Sequence, residues 1–392
     1  MKKYEAGILF QPVKFASVTA RNRIVMAPMV TNFADPDDEV TAPQIQYYSE
    51  RARGGTGTII VEASHIRKDV RITSRQIGSY NDRFMPGLSR LASAIKSEGA
   101  IALLQLLHGG PKVLPDLRCE SASPVSVRVA QVPRQLSLSD LRQIRKAYVR
   151  AASRVKKAGF DGVELHAAHL YLLSAFLSPY TNQRMDEYGG SLINRTRLLR
   201  EIVEDIKSEL GAHWPIWVRM NACEALEPGL SLEEGQDIAK ILVETGVDAI
   251  HVSAYVLPIN KKITNLVHIR VGAIPLKNSP PGPLLKYAAA IKKTVDVPVI
   301  AVGKLDDPQF AANAVRGGKC DLIALGRQLL CDPYWSLKVK GGSPGKIVHC
   351  NYCNTCHTAQ QRGEDVRCTQ NLNMFGEPIY RKNRREFRKV SF

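Results

Sequence analysis

Eight short apolar segments, each followed by a charged stretch of helical periodicity, constrain this chain more than any other feature. They are RIVMAPM (23–29), GTIIVEA (57–63), IALLQLL (101–107), GVELHAA (162–168), PIWVRM (215–220), AIHVSA (249–254), PVIAVG (298–303) and DLIALG (321–326). Near-continuous hydrophobicity over so few residues suits strands buried on both faces of a parallel sheet. Between them, SLSDLRQIRKAYVRAASRVKKAGF opens on Ser and Asp, as a helix start does, and reaches Gly159, as a helix stop does; LEEGQDIAKILVETGV carries the same periodicity. Strand and helix alternating about eight times predict an α/β fold, a (β/α)₈ barrel. A doubly wound sheet is the alternative, and no GxGxxG follows any of the strands to support it.

The 392 residues accommodate one barrel with an addition, divided as 1–340 and 341–392. No run of about 18 apolar residues is present, so no membrane span is expected. The start, MKKYEAGILFQPVKF, is too often interrupted by charge and proline for a secretory signal, which points to a cytoplasmic protein. The net charge of +17 admits nucleic acid or acidic small molecules as partners, but part of it is a tail, Arg381 to Lys389, with six basic residues and one acidic. Nucleic-acid folds and interleaved aromatics are absent, so nucleic acid is not expected.

Two long Pro/Ser-rich loops follow the third and sixth strands, at the barrel end where active sites are built. The second carries Lys261, Lys262, Arg270 and Lys277 without an acid, which suits an anionic substrate or a solvated basic loop equally. Polar residues cluster at the strand ends: Gln105 and His108 on the third, Glu164, His166, His169 and Tyr171 on or after the fourth, Arg219 on the fifth. Singly each reads as a satisfied core residue. Together, His166, His169 and Tyr171 can give two hydrogen bonds to a carbonyl oxygen and one proton nearby. After strands seven and eight, Gly303–Lys304 and Gly326–Arg327 precede helices, where backbone N–H groups of this fold commonly hold a phosphate; glycine also simply ends strands.

These stretches, with NRIVMAPM (22–29), YYSERARGGTGTIIVEA (47–63), QLLHGG (105–110), GFDGVELHAAHLYLLSAFLSP (159–179), TNQRMDEYGGSLINR (181–195), WVRMN (217–221), AVGKLDDP (301–308) and IALGRQLLCDP (323–333), resemble the old yellow enzyme family of FMN oxidoreductases. The resemblance covers about residues 8 to 375. It is nearest the iron–sulfur branch with 2,4-dienoyl-CoA reductase, trimethylamine dehydrogenase and the clostridial enoate and bile-acid reductases. It implies that Pro28, Met29, Ala63, Gln105 and Arg219 line FMN, with Gln105 at the pyrimidine edge and Arg219 beside N1/O2. Gly303, Gly326 and Arg327 match the phosphate site, His166 and His169 the pair that grips a substrate carbonyl, and Tyr171 the proton donor to the α-carbon. Three positions depart from the pattern. Val30 stands where many relatives carry Thr or Cys near the flavin O4, Pro111 replaces an Arg, and the extra histidine acid of the dienoyl reductases has no clear counterpart, although His251 and His268 are nearby.

Eight cysteines in a reducing compartment disfavour disulfides. Cys119, Cys223, Cys320 and Cys331 are scattered. Cys350, Cys353, Cys356 and Cys368 are spaced C-x₂-C-x₂-C-x₁₁-C, three thiols within seven residues. Zinc ribbons usually offer two separated pairs, whereas this tight wrap resembles an iron–sulfur loop; zinc or an empty motif remain the alternatives. The family's iron–sulfur branch places its [4Fe–4S] cluster here. His349 and His357 are read as neighbours rather than ligands. In the long relatives, FAD- and NAD-binding domains follow the cluster; none is recognisable here. NAD(P)H acting directly, or a separate ferredoxin, flavodoxin or NAD(P)H reductase, is then the expected electron source, and the basic tail suits docking of an acidic carrier. The expected activity is an FMN- and [4Fe–4S]-dependent ene-reductase acting on a small-molecule enone of steroid, enoate or enoyl-CoA type. An amine dehydrogenase of the trimethylamine type and an electron-transfer subunit are the alternatives, and assembly into a homo-oligomer is compatible with each.

Overall fold

The computed structural model describes residues 5–128, 131–256, 269–270 and 274–374. The eight apolar segments form eight parallel strands: β1 Ile24–Met26, β2 Thr58–His65, β3 Ile101–Leu107, β4 Gly162–Ala167, β5 Ile216–Ala225, β6 Ala249–Val256, β7 Val299–Val302 and β8 Leu322–Leu325. They close in sequence order, and β8 returns to β1 through the register Ile323↔Ile24 and Leu325↔Met26. The fold is the (β/α)₈ barrel.

The helices follow from local signals. Helix Leu138–Lys157 starts at a capping box, in which the Ser137 side chain accepts from Asp140 N–H and Asp140 accepts from Ser137 N–H. It buries Leu141, Ile144, Tyr148, Ala151, Ala152 and Val155, a stripe at three- and four-residue steps that faces the barrel. Helix Leu232–Glu244 repeats the device with Ser231 and Glu234.

A hairpin of Val13–Phe15 and Val18–Ala20 lies outside the strand pattern read from the sequence. Val13, Phe15 and Ala20 join Val25, Ile60, Leu103 and Trp217 in a separate apolar cluster, with Phe15 edge-on to Trp217 at 4.7 Å. That hairpin plugs the end of the barrel away from the functional site. Lys261, Lys262, His268 and the basic tail lie outside the described residues, as does the side chain of Arg270. No described helix is long and apolar enough to cross a membrane.

Candidate active site

A cavity of about 1180 Å³ opens at the C-terminal end of the strands. Pro28, Met29, Ala63, Gln105, His166, His169, Tyr171, Arg219, Gly303, Gly326 and Arg327 all line it, and so does Val30. Other strand-end polar groups turn away. His108 is buried against Glu120 at 3.2 Å, and Glu120 also takes Arg67 and Arg134, so this cluster ties the long loop down. His251 is buried too, bonded through Nδ1 to Glu164 at 2.8 Å. It is absent from the cavity wall, so it does not stand where a substrate acid must.

The histidines meet across β4 and the turn after it. His166 Nε2 and His169 Nδ1 are 3.3 Å apart. Ala168 N–H donates to His166 Nδ1 at 3.4 Å, which places the His166 proton on Nε2. His166 Nε2–H then donates to His169 Nδ1, and the His169 proton on Nε2 goes to the Ser253 hydroxyl at 2.7 Å. An acceptor oxygen entering between the rings would take the His166 bond, and a second one if Ser253 turns to donate to His169 Nε2 and the proton moves to Nδ1. Burial holds both imidazoles well below their ordinary pKa, with Arg219 adding to the effect, so they are neutral donors. His169 and Leu170 both sit in the left-handed region, at φ 63° and 57°. Asn221 anchors that turn by accepting from His169 N–H at 3.2 Å. Such backbone costs energy and is kept where it aims a side chain.

Tyr171 begins the next helix, its ring 4.9 Å from that of His166. Burial raises its pKa, so the hydroxyl is protonated at neutral pH. Lys112 stands beside it. Its ammonium donates to His169 O at 3.0 Å and lies 4.8 Å from the Tyr171 ring centre and 5.0 Å from that of Tyr255. Burial pulls its pKa down to about 7. Sequence reasoning missed Lys112, Ser253 and Tyr255. Lys112 follows Pro111 in the HGGPK stretch, and a lone lysine in a loop gives no signal until the loop folds back. Gly110 permits that fold: its φ is 59°, and a Cβ there would lie 2.7 Å from Leu172 N.

On the opposite wall, Gln105 commits its amide N–H to Glu164 at 2.6 Å, leaving its carbonyl oxygen for a ligand. Arg219 is half-buried, and its Nε has no partner among the described residues. Gly303 has φ 105°, which turns the chain after β7 toward the cavity, and Lys304 and Arg327 flank that rim. A half-buried guanidinium with its Nε unpartnered among the described residues, an acceptor amide and a glycine-bearing cationic rim fit a flavin ring with a phosphate.

The cysteine segment forms part of the same wall. Cys356, His357, Gln360 and Arg362 line the cavity, mostly from the helix Thr355–Gln361. No three His, Cys, Asp or Glu side chains are drawn together as a ready-made metal site among the described residues. The four thiols nevertheless lie within electrostatic reach of one another. Each also accepts a backbone N–H: Cys350 from Tyr352, Cys353 from Thr355, Cys356 from His357, and Cys368 from Gln370 and Asn371. Burial raises the Cys350 thiol to about 11 and raises that of Cys356 as well, and the N–H groups offset this only in part; Cys353 and Cys368 are lowered. Four thiols served by N–H groups fit a thiolate-held cluster whose metal charge would supply the rest. Cys331, a residue without a role in the sequence, bonds Cys368.

The chain is similar to several known proteins. The NADH oxidase of Thermoanaerobacter brockii is 38% identical over 382 residues, covering 95% of this chain and 57% of its own length. The solved 2-naphthoyl-CoA reductase, in complex with 2-naphthoyl-CoA, superposes with a TM-score of 0.86 at 28% identity, over 96% of this chain and 59% of that one. Histamine dehydrogenase from Rhizobium sp. 4-9 gives 0.83 at 29% identity, over 94% and 53%. The chain thus spans little more than half of these longer relatives, and its similarity to them extends into the cysteine segment. The family model described as NADH:flavin oxidoreductase / NADH oxidase matches residues 8–346. The chain belongs to that family, a flavin-dependent oxidoreductase of the old yellow enzyme type.

Proposed function

We propose that this chain is an FMN- and [4Fe–4S]-dependent ene-reductase acting on an α,β-unsaturated carbonyl compound, with a flavin barrel over 1–340 and a cluster-bearing extension over 341–392. The observation that carries the reading is the pair of facing imidazoles, 3.3 Å apart, with Tyr171 against His166. Pro28, Met29, Ala63, Gln105 and Arg219 would hold the flavin ring, and Gly303, Gly326 and Arg327 its phosphate. FMN held there would supply the hydride for the β-carbon of the substrate. His166 Nε2–H would leave His169 for the carbonyl oxygen, and His169, with Ser253 donating to its Nε2, would add Nδ1–H as the second donor; together they draw charge onto that oxygen. Tyr171 gives its hydroxyl proton to the α-carbon, and the charges of Arg128 and Arg219 favour the resulting phenolate. Cys350, Cys353, Cys356 and Cys368 would hold the cluster, which supplies single-electron exchange at the cavity wall. NAD(P)H, or a ferredoxin, flavodoxin or reductase partner, would supply the electrons.

The cavity wall also bears on the substrate. Beyond Arg219, Lys304 and Arg327, which would face FMN, Lys112, Arg128 and Arg362 line it, and the one lining carboxylate, Asp306, accepts a bond from Tyr352. That surplus favours a carboxylate- or CoA-bearing enone over a cationic amine. Similarity to histamine dehydrogenase keeps amine oxidation as the second reading. Anaerobic titration with NADH, NADPH and reduced ferredoxin, followed by a panel of enones and amines, separates them. Reoxidation of the flavin by an enone is expected. Bleaching of the oxidised protein by an amine, with no enone turned over, would replace the first reading with the second.

A further inference from the structure

Tyr352 lies between two of the four clustered cysteines, yet its side chain belongs to the opposite partner of the site. Its ring sits between two cations of the phosphate rim, with Lys304 Nζ 4.5 Å and Arg327 Cζ 4.8 Å from the ring centre. Its hydroxyl donates to Asp306, on the loop after β7. Two residues on, Asn354 Oδ1 accepts from Arg327 Nη1 at 2.5 Å. The other face of the same short segment serves sulfur, because Tyr352 N–H donates to Cys350 Sγ at 3.4 Å. Gln328, beside Arg327, accepts from Cys350 N–H at 3.0 Å. The backbone carries a cost for this placement. Tyr352 has φ 55° and Asn354 φ 60°, the left-handed region that a tyrosine rarely adopts.

We infer that Tyr352 is a positioning residue that couples the phosphate rim to the cysteine loop, so that a folded, metal-loaded loop raises affinity for the flavin phosphate and bound flavin raises retention of the metal. The physical reason is shared geometry. Lys304 Nζ also donates to Lys277 O and Ser279 O and Arg327 Nη2 to Pro275 O, and the Tyr352 ring packed against both cations adds to the hold on them near the rim before any ligand arrives. The ring can be held there only while the Cys350–Cys356 segment keeps its left-handed turns, and thiolate ligation is what fixes that segment. Two ligands that each favour one arrangement of a common element are coupled, and the coupling is reciprocal.

This inference rests on the proposed FMN and cluster sites. The test is a cycle of FMN dissociation constants, read by flavin fluorescence on protein stripped of FMN, with the cluster reconstituted or removed, in wild type, Tyr352→Phe and Tyr352→Gly. In the wild type, removing iron is expected to weaken FMN binding about tenfold. Tyr352→Gly relieves the backbone strain and removes the ring; FMN should bind it weakly, and to the same extent with or without iron. Tyr352→Phe keeps the ring between the cations and should retain most of the iron dependence. Iron retained during dialysis with and without FMN gives the reciprocal half. Equal iron dependence in wild type and Tyr352→Gly overturns the coupling alone. Wild-type protein that takes up FMN but no iron overturns the cluster assignment, and the coupling with it.

Discussion

Replacing Lys112 with methionine should make the folded protein more stable while impairing its chemistry. The ammonium is enclosed by His169 O, Tyr255 and the Tyr171 ring, and burial together with Arg128 lowers its pKa from 10.5 to about 7. At 1.36 kcal/mol per tenfold change in proton affinity, that fall corresponds to about 5 kcal/mol against the charged form. Near pH 7 half the molecules have already shed the proton, so about 4 kcal/mol of the cost falls on the folded state. Methionine, of similar length, forfeits two hydrogen bonds and two ring contacts, about 0.5 kcal/mol each at the low end of their range and so about 2 kcal/mol together. The net gain at pH 7 is then about 2 kcal/mol. The sign with pH is fixed. The unfolded lysine keeps its proton until near 10.5 and the folded one releases it near 7, so across this window the unfolded state binds the extra proton. Wild-type stability should therefore rise with pH relative to Lys112→Met, by about 1.4 kcal/mol per pH unit, until the two converge or cross. Urea unfolding of both proteins at several pH values, flavin-free, measures this directly. Parallel pH profiles would refute the burial argument.

Other outcomes follow from the same geometry. Tyr171→Phe should retain flavin and enone binding but lower the rate of enone reduction by about 10²-fold or more, measured in single-turnover reoxidation; unchanged turnover removes Tyr171 from the mechanism. Ser253→Ala removes the hydroxyl paired with His169 Nε2, whichever of the two donates, and should weaken carbonyl binding about tenfold, with the flavin spectrum unaltered; unaltered substrate affinity would show that Ser253 does not prepare His169 as a donor. Cys353→Ser alters an exposed thiol, so the barrel should fold and keep FMN while iron content falls; full iron content on metal analysis would sink the cluster assignment. Gly110→Ala combines a positive φ with a clash on Leu172 and should cost about 2 kcal/mol or more, read as a lowered melting temperature.

The barrel was legible because its strands are buried on both faces, so each reads as an apolar run whatever surrounds it. IALLQLL matches β3 residue for residue, and the other runs differ from their strands only at the ends, where hydrogen bonding outlasts or falls short of the hydrophobic pattern. The plug hairpin was not legible: Val13, Phe15 and Ala20 alternate over too few residues to stand out, and their burial comes from the barrel floor, including Trp217 some 200 positions away. At the site, residues on strand ends were found because polar groups interrupt apolar runs there. That signal did not distinguish cavity-facing Gln105 from His108, which turns to Glu120. Lys112, Ser253 and Tyr352 escaped because their roles rest on contacts across 57, 84 and, for the Tyr352–Asp306 bond, 46 positions.

Strand β8 pairs with β1, so the barrel is sealed by partners about 300 positions apart. Until residues 322–325 have left the ribosome, β1 and β7 are unpaired edges, and the growing chain holds an open sheet for most of its synthesis. The cysteine segment anchors on Asp306, Arg327 and Gln328, residues of the two closing strand ends, so its docking comes after the seal. If the proposed cluster is filled during refolding, its absorbance would then report an event that follows the closing of the sheet.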